Sequence, residues 1–518
     1  MPSNFAYLAL FLWPVVVFIL FTKRPVNEAL AWSIIAGYML LPEITAFDLP
    51  VLPAWGKQLV PSLFAAIMCY TMLQMHKAHA AGPAVARAPA QRRDVQRTFS
   101  IDDFTVQRGR VLFWVLLLLL FGSPFITAIT NREPVSEGFR FISGMRIYDS
   151  FSMNLDLLVS LLPFFLARRF LASPESHVTL LKVLALACLA YSLLALWEVR
   201  MSPRLNREIY GFFGHSWSQH VRYGGYRPIL FLNHGIWVAI LFTLGVLASA
   251  ALWRDQLRHG SAGKWLLASL WLLGVLILCK SVGAIAIAFL LLPMLLFFGA
   301  RMQLMSAALI AATVMTYPIL RGADLVPTDR IHSFFSKIDT DRASTLQYRF
   351  NAEDLLLERA NQKPLAGWGS WGRNRVSNDS GRDAAATDGY WVIVIGVYGW
   401  LGYIAQFGLL AAAPVLLAFN KSRLNLSPAT VGLTVVLAAA LIDLIPNATT
   451  SPVVWLLAGA LMGRYQTAVA GAKALNPQAA RAGTEPRRSS AAPQEVPAMK
   501  PEREAPRYPA HVRRPREG

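Results

Sequence analysis

The sequence predicts an all-α polytopic integral membrane protein. Three observations carry this. Of 518 residues, 55% are hydrophobic and only 15% charged, against roughly a quarter charged in a soluble domain. Mean hydropathy is +0.42. Apolar runs of about 17–25 residues, each long enough to span a bilayer, recur along the chain.

The first run, about Phe5 to Phe21, has no basic residue before it and Lys23-Arg24 after it. A signal peptide shows the reverse, so this reads as an uncleaved anchor with its N-terminus outside. Spans follow near 28–41 and 59–75. The tract from His76 to Arg110, rich in Ala, Pro, Gln and Arg, reads as a disordered cytoplasmic linker. Spans resume near 111–129, 153–167, 178–197, 229–252, 265–279, 282–299 and 302–320. After a long polar stretch they end near 390–418, 429–446 and 452–468, making thirteen. The expected organisation is therefore N-terminal spans in 1–75, a basic linker in 76–110 and central spans in 111–320. A large outer loop in 321–388, C-terminal spans in 389–468 and a disordered basic tail in 469–518 complete it.

The formal net charge is +19. Much of it sits in the two polar tracts and in short loops, so positive-inside topology explains it and no nucleic acid partner is expected. Placing residues 76–110 in the cytoplasm sorts the other basic clusters. Lys23-Arg24, Arg168-Arg169, Arg254 to Lys264, Arg301, Lys421 to Arg423 and the tail all fall inside. Outside fall 130–152, 200–228, the Lys280-Ser281 turn and 321–388. These loops keep arginines against the charge rule, which marks them as functional candidates. The basic tail suits acidic lipids or a protein partner. Cys69, Cys188 and Cys279 lie in or at the ends of apolar spans with no CxxC pair. They read as small buried hydrophobes, not as a disulfide framework or zinc site.

Four constellations bear chemistry. The first runs from His215 to Pro228 and on to Asn233-His234, with His220, Arg222, Gly224-Gly225 and Arg227 inside it. An interfacial belt of snorkelling Arg and anchoring Trp and Tyr gives this composition. So does a site for an anionic headgroup, because the planar Arg fork grips phosphate oxygens in pairs. The tight backbone allowed by Gly224-Gly225 favours the second. Next comes Lys280, in a turn between two spans: a snorkelling lysine or a second cation for the same anion. Gly274 to Ser281 imitates a P-loop but lacks its second glycine and its strand-to-helix context, which excludes nucleotide binding.

The large loop supplies the third, with Arg321, Arg330, Arg342, Arg349, Arg359, Arg373, Arg375 and Arg382. Phe350, Leu355, Leu356, Leu357 and Ala360 predict a helix lying against the membrane face and ended by Pro364. Gly367, Gly369 and Gly372 then alternate with Trp368 and Trp371, which either present indole faces to a sugar ring or dip into headgroups. Asp339-Thr340-Asp341 has a DxD form that two acids often make by chance. The fourth is Asp388, at the junction of loop and span, readable as a general base or as the N-cap of the next helix.

Arg342-Ala343-Ser344-Thr345-Leu346 with Arg349, then Pro364-Leu365-Ala366-Gly367-Trp368-Gly369, resemble the O-antigen ligase and polymerase family. Gly396-Val397-Tyr398-Gly399-Trp400-Leu401-Gly402 looks like its G-x-x-G-x-x-G segment. Lys280-Ser281-x-Gly283-Ala284 is similar to its Ser-Arg-Gly hairpin, and Arg222 to Asn233 to its Arg-Gly-Asn run. The resemblance covers roughly 200–465. It implies a metal-independent, inverting glycosyltransferase without cofactor in the bacterial inner membrane, its large loop periplasmic. The donor would be a glycan on undecaprenyl pyrophosphate; a chain-length regulator or another polysaccharide-assembly protein stands as a candidate partner. Arg222, Arg227, Lys280 and Arg349 would hold pyrophosphate, fixed cations replacing a metal. Asp388 would serve the acceptor, and His220, Asn233, Arg342, Trp368 and Arg373 would contact substrate. The family's ligases carry a His where this chain has Asp388, which favours polymerisation over transfer to a lipid or protein acceptor. A flippase would show ionisable residues at mid-span or paired broken helices; Glu198 and Asp443 lie near span ends.

Overall fold

The structure, a computed structural model, describes residues 2–48, 53–81, 110–214, 216–222, 224–257, 260–337 and 340–474. The expected disorder of the linker and tail falls on 82–109 and 475–518, outside the described residues.

The chain opens with α1 (Asn4–Lys23) and α2 (Val26–Leu40), then a two-stranded ribbon of β1 (Ala46–Phe47) and β2 (Trp55–Gly56), then α3 (Leu59–Ala81). After the linker come α4 (Arg110–Thr130), a hairpin of β3 (Val135–Glu137) and β4 (Arg140–Ile142), α5 (Ile147–Phe170), α6 (Pro174–Met201) and the short α7 (Leu205–Tyr210). A second hairpin, β5 (Val221–Arg222) and β6 (Gly225–Tyr226), precedes α8 (Gly235–Gln256), α9 (Gly263–Leu278), α10 (Val282–Phe297) and α11 (Ala300–Gly322). The large loop holds α12 (Thr328–Ser336) and α13 (Thr340–Asn361). The chain then runs through α14 (Tyr390–Phe419), α15 (Pro428–Asp443) and α16 (Pro452–Ala474).

Helices stand at all thirteen expected positions. Among the described residues, eight helices are long and apolar enough to cross a membrane: α1, α3, α4, α5, α6, α8, α11 and α14. The apolar helices α9, α10 and α15 are shorter. The chain is a multi-pass α-helical membrane protein.

Burial orders the bundle. Every residue from Leu241 to Leu252 of α8 and from Ala429 to Leu441 of α15 is buried. A helix apolar on all sides and covered on all sides belongs at the centre. They approach closely because Gly432 lacks a side chain: a Cβ there would lie 2.4 Å from Cβ of Ala251. At the periphery α1 buries only Ala6, Leu10, Trp13, Val17 and Phe21, one stripe, and leaves Phe11 and Phe18 outward.

Two expectations are corrected. The span expected from 229 starts at Gly235, because 229–232 is a pinned, non-helical segment in which Leu230 has φ +53°. The loop helix α13 starts earlier than its apolar positions indicate. Its Ala352, Leu356, Leu357 and Ala360 are buried in the protein core, with α13 packed on α14, so they do not face a membrane.

The long helix α14 is broken. Gly399 has φ +66° and ψ −168°, a conformation open almost only to glycine. The segment 364–369 fills the break. Trp368 N–H donates to Gly396 O at 2.8 Å and Gly369 N–H to Val397 O at 3.0 Å. In return Trp400 N–H donates to Pro364 O at 2.7 Å and Leu401 N–H to Leu365 O at 3.2 Å. Backbone groups freed by the break thus find partners, as burial requires.

Candidate functional site

The segments that charge parity places on one face do meet. Lys363 Nζ donates to Thr130 O at 2.8 Å, Arg359 pairs with Glu137 at 2.8 Å and Arg140 with Asp383 at 2.8 Å. These contacts join the β3–β4 hairpin to the large loop. The β5–β6 hairpin meets the α9–α10 turn: Lys280 Nζ donates to Arg222 O at 2.8 Å, and Arg227 Nη2 donates to Lys280 O at 3.4 Å.

The segment carrying Arg227 is anchored from several sides. Glu198, 1% exposed at the end of α6, accepts from the N–H groups of Leu205 (3.0 Å), Ile229 (2.8 Å) and Leu230 (2.9 Å). Tyr191 Oη accepts from Phe231 N–H at 3.2 Å. Lys57, buried and paired with Glu43 at 2.8 Å, donates to Phe231 O at 2.9 Å. Arg227 N–H closes the hairpin onto His220 O at 2.8 Å. Glycines then make room for the cations. A Cβ on Gly225 would lie 2.4 Å from Lys280 Nζ, and one on Gly235 would lie 2.3 Å from Cδ of Arg227.

Three guanidinium groups converge here, two from the β5–β6 hairpin and Arg349 from α13. Burial lowers the pKa of Arg222, and the field of Arg349 lowers it further. Arg227, 3% exposed, is pushed down to about 10, first by burial and then by Arg222 and Arg349. Among the described residues neither Arg222 nor Arg227 has an acidic partner, and Nε and Nη1 of Arg227 are buried without a hydrogen bond. Like charges held together and partly desolvated oppose their own ionisation unless an anion joins them. The arrangement therefore offers forked N–H donors and strong positive potential to a polyanionic group.

Arg349 Nε pairs with Asp388 Oδ2 at 3.3 Å, and its Nη1 donates to Pro446 O at 3.4 Å. Asp388 thereby orients Arg349. It is not the cap of α14: Gly389 holds that position, with no side-chain hydrogen bond.

No family model matches the chain, and no curated protein matches it.

The other residues singled out by sequence divide. His220 and Asn233 stay near the cluster. His220 is buried, its ring 5.2 Å from that of His234, and Asn233 lies against Gly214. Trp368 and Arg373 belong to a different set of contacts. Trp368 is covered by Arg359, whose Cζ lies 3.5 Å from the ring centroid, and its Nε1 donates to Arg359 O at 2.7 Å. Arg373 donates to the carbonyls of Trp368, Ser143, Asn131 and Glu133. Arg373 braces the loop against the segments flanking β3 and β4, and Trp368 packs within the loop. The side chains of Arg342 and Asp341, and Asp339 altogether, lie outside the described residues. Sequence reasoning missed Glu198 and Lys57 as supports. The available signal was a lone acid at a span end and a lone base beside Gly56, both expensive unless partnered.

Proposed function

We propose that this chain is a membrane glycosyltransferase that polymerises undecaprenyl-pyrophosphate-linked repeat units on the outer face of a bacterial inner membrane. The observation that carries this reading is the convergence of Arg222, Arg227 and Arg349 from two loops that sequence places outside, with Lys280 joined to them. A pyrophosphate needs such forked, fixed cations, and more so as it leaves, because its charge rises when the glycosidic bond breaks. An acceptor hydroxyl attacks the anomeric carbon. The C–O bond to pyrophosphate breaks, undecaprenyl pyrophosphate departs, and the hydroxyl proton passes to Asp388. The growing glycan moves onto the incoming unit. Transfer to a lipid or protein acceptor is the related alternative, disfavoured by Asp388 in place of histidine. A flippase would use a broken helix to line its path, and here the break at Gly399 is filled by the chain's own backbone.

The test is polysaccharide size in a strain lacking the protein, complemented with wild type, Arg222→Ala, Arg349→Ala or Asp388→Ala at matched membrane levels. Accumulation of single lipid-linked repeat units in all but the wild type is expected. Long polymer left on its lipid carrier would instead identify a ligase, and units retained on the inner leaflet a flippase.

A further inference from the structure

A cavity of about 230 Å³ is lined by residues of α2, α5, α8, α14, α15 and α16 and has entered none of the chemistry above. Its walls include Tyr38, Trp237 and Tyr390, with the polar residues Gln58, Thr450 and Ser451. Asp443 completes it. This carboxylate is 8% exposed and ends α15, where the helix dipole is negative. Among the described residues Oδ1 accepts only from Asn447 Nδ2, and Oδ2 has no partner. An acid buried at the C-terminal end of an apolar helix is costly on both counts unless something donates to it. Thr450, beside it in the wall, has its Oγ1 closed off without a partner.

The cavity wall is built from segments that the arginines hold. Trp237 stands two residues after Gly235, the glycine that leaves room for Arg227. Tyr390, two residues after Asp388, donates its N–H to the carbonyls of Leu444 and Asn447, just past Asp443. Arg349 donates to Pro446 O in the same turn. The cavity wall and the cluster thus share chain segments.

We propose that this cavity seats one neutral pyranose ring of the lipid-linked glycan, its hydroxyls donating to Asp443. This rests on the glycosyl-transfer reading for the origin of the ring. In a polymerase, donor and acceptor carry the same repeat unit, so one ring chemistry serves both. The size is below the range of about 300–1,000 Å³ typical of drug-sized ligands, so it takes a single ring and not an oligosaccharide. A phosphate would find no cation among the lining residues, and an acyl chain would leave Asp443 unsatisfied. Aromatic walls with a few placed polar groups suit a ring that has apolar faces and a polar rim.

The test uses the full chain in a detergent without a sugar headgroup. Methyl glycosides of glucose, galactose, mannose, N-acetylglucosamine and rhamnose are titrated by saturation-transfer NMR. Inorganic pyrophosphate is titrated separately by calorimetry. We expect saturable binding of at least one methyl glycoside. Asp443→Asn should weaken it about tenfold or more, the worth of one charge-assisted hydrogen bond, and Thr450→Val should weaken it less. Pyrophosphate binding should be unchanged in both variants, which also reports that they fold. Absence of saturable binding across the sugars, or undiminished binding in a folded Asp443→Asn protein, overturns the proposal. Sugar binding without pyrophosphate binding would sustain the cavity and sink the reading of the cluster; pyrophosphate binding alone would do the opposite.

Discussion

Lys280 Nζ reaches from the α9–α10 turn to the carbonyl oxygen of Arg222, 2.8 Å away, across the space that Gly225 leaves empty. Two loops separated by two helices are thereby joined at the point where the arginines gather. Gly225→Ala would put a Cβ into the ammonium group at 2.4 Å. Lys280 is flexible and will move, so the fold should survive while the cluster opens. Weaker pyrophosphate binding by about tenfold, with unchanged thermal unfolding, is the expected outcome by calorimetry and scanning fluorimetry.

Glu198 is a support and not a reacting group. Its two oxygens serve three backbone N–H donors and hold Leu230 at its positive φ. Glu198→Gln replaces one acceptor oxygen by a donor facing N–H groups. It should destabilise the protein by about 2–4 kcal/mol, since hydrogen bonds to a charged group are worth about 1.5–3 kcal/mol each. A fall in unfolding temperature accompanied by weaker pyrophosphate binding would agree. Loss of activity with unchanged stability would instead give Glu198 a direct role.

Gly399→Ala should be among the most damaging glycine substitutions. It combines a disfavoured backbone conformation with a Cβ 2.5 Å from the backbone of Ala366, a cost of about 2 kcal/mol or more. Gly274→Ala, in α9 with nothing within 4 Å, should be neutral or slightly stabilising. Thermal unfolding of the two variants side by side decides the matter.

Glu353 on α13 predicts a pH dependence. It is 5% exposed, and burial raises its pKa to about 7, although Arg321 at 3.8 Å pulls the other way. A carboxyl with a raised folded pKa binds its proton more readily folded than unfolded. Its contribution to stability is therefore full below the ordinary glutamate range and is lost as pH rises through about 7. The slope is at most about 1.4 kcal/mol per pH unit. Unfolding temperature should fall between about pH 5 and pH 8 in the wild type, and Glu353→Gln should flatten that fall.

Sequence made the helices legible because lipid imposes a length and an apolarity that few other structures share. The cation cluster was legible too: Arg222, Arg227, Lys280 and Arg349 stood out as arginines and a lysine where the charge rule disfavours them. Helix edges were less legible. Hydropathy cannot distinguish Ile229 to Leu232, a pinned apolar coil, from the helix that follows, because what stops the helix is Glu198, some thirty residues upstream. Trp368 and Arg373 are ambiguous in sequence for a related reason. A loop rich in Arg and Trp has the same composition whether its side chains face a ligand or brace one another, and only the partners, Arg359 and four carbonyls, tell these apart. Asp443 was seen as a charge near a span end; its cavity is built by residues from across the chain and leaves no local pattern.

The filled break in α14 sets an order of biogenesis. Residues 364–369 leave the ribosome before α14 does, so the loop backbone is already made when Gly396 and Val397 need partners. Until that segment docks, the carbonyls of Gly396 and Val397 and the N–H groups of Trp400 and Leu401 lack these partners, and unpaired backbone groups are costly to bury. Insertion of this span and folding of the large loop are then one event. Truncations or fusions that end the chain between 370 and 390 should yield a loop with no helix to close, and those that delete 364–369 a helix that the insertion machinery handles as two.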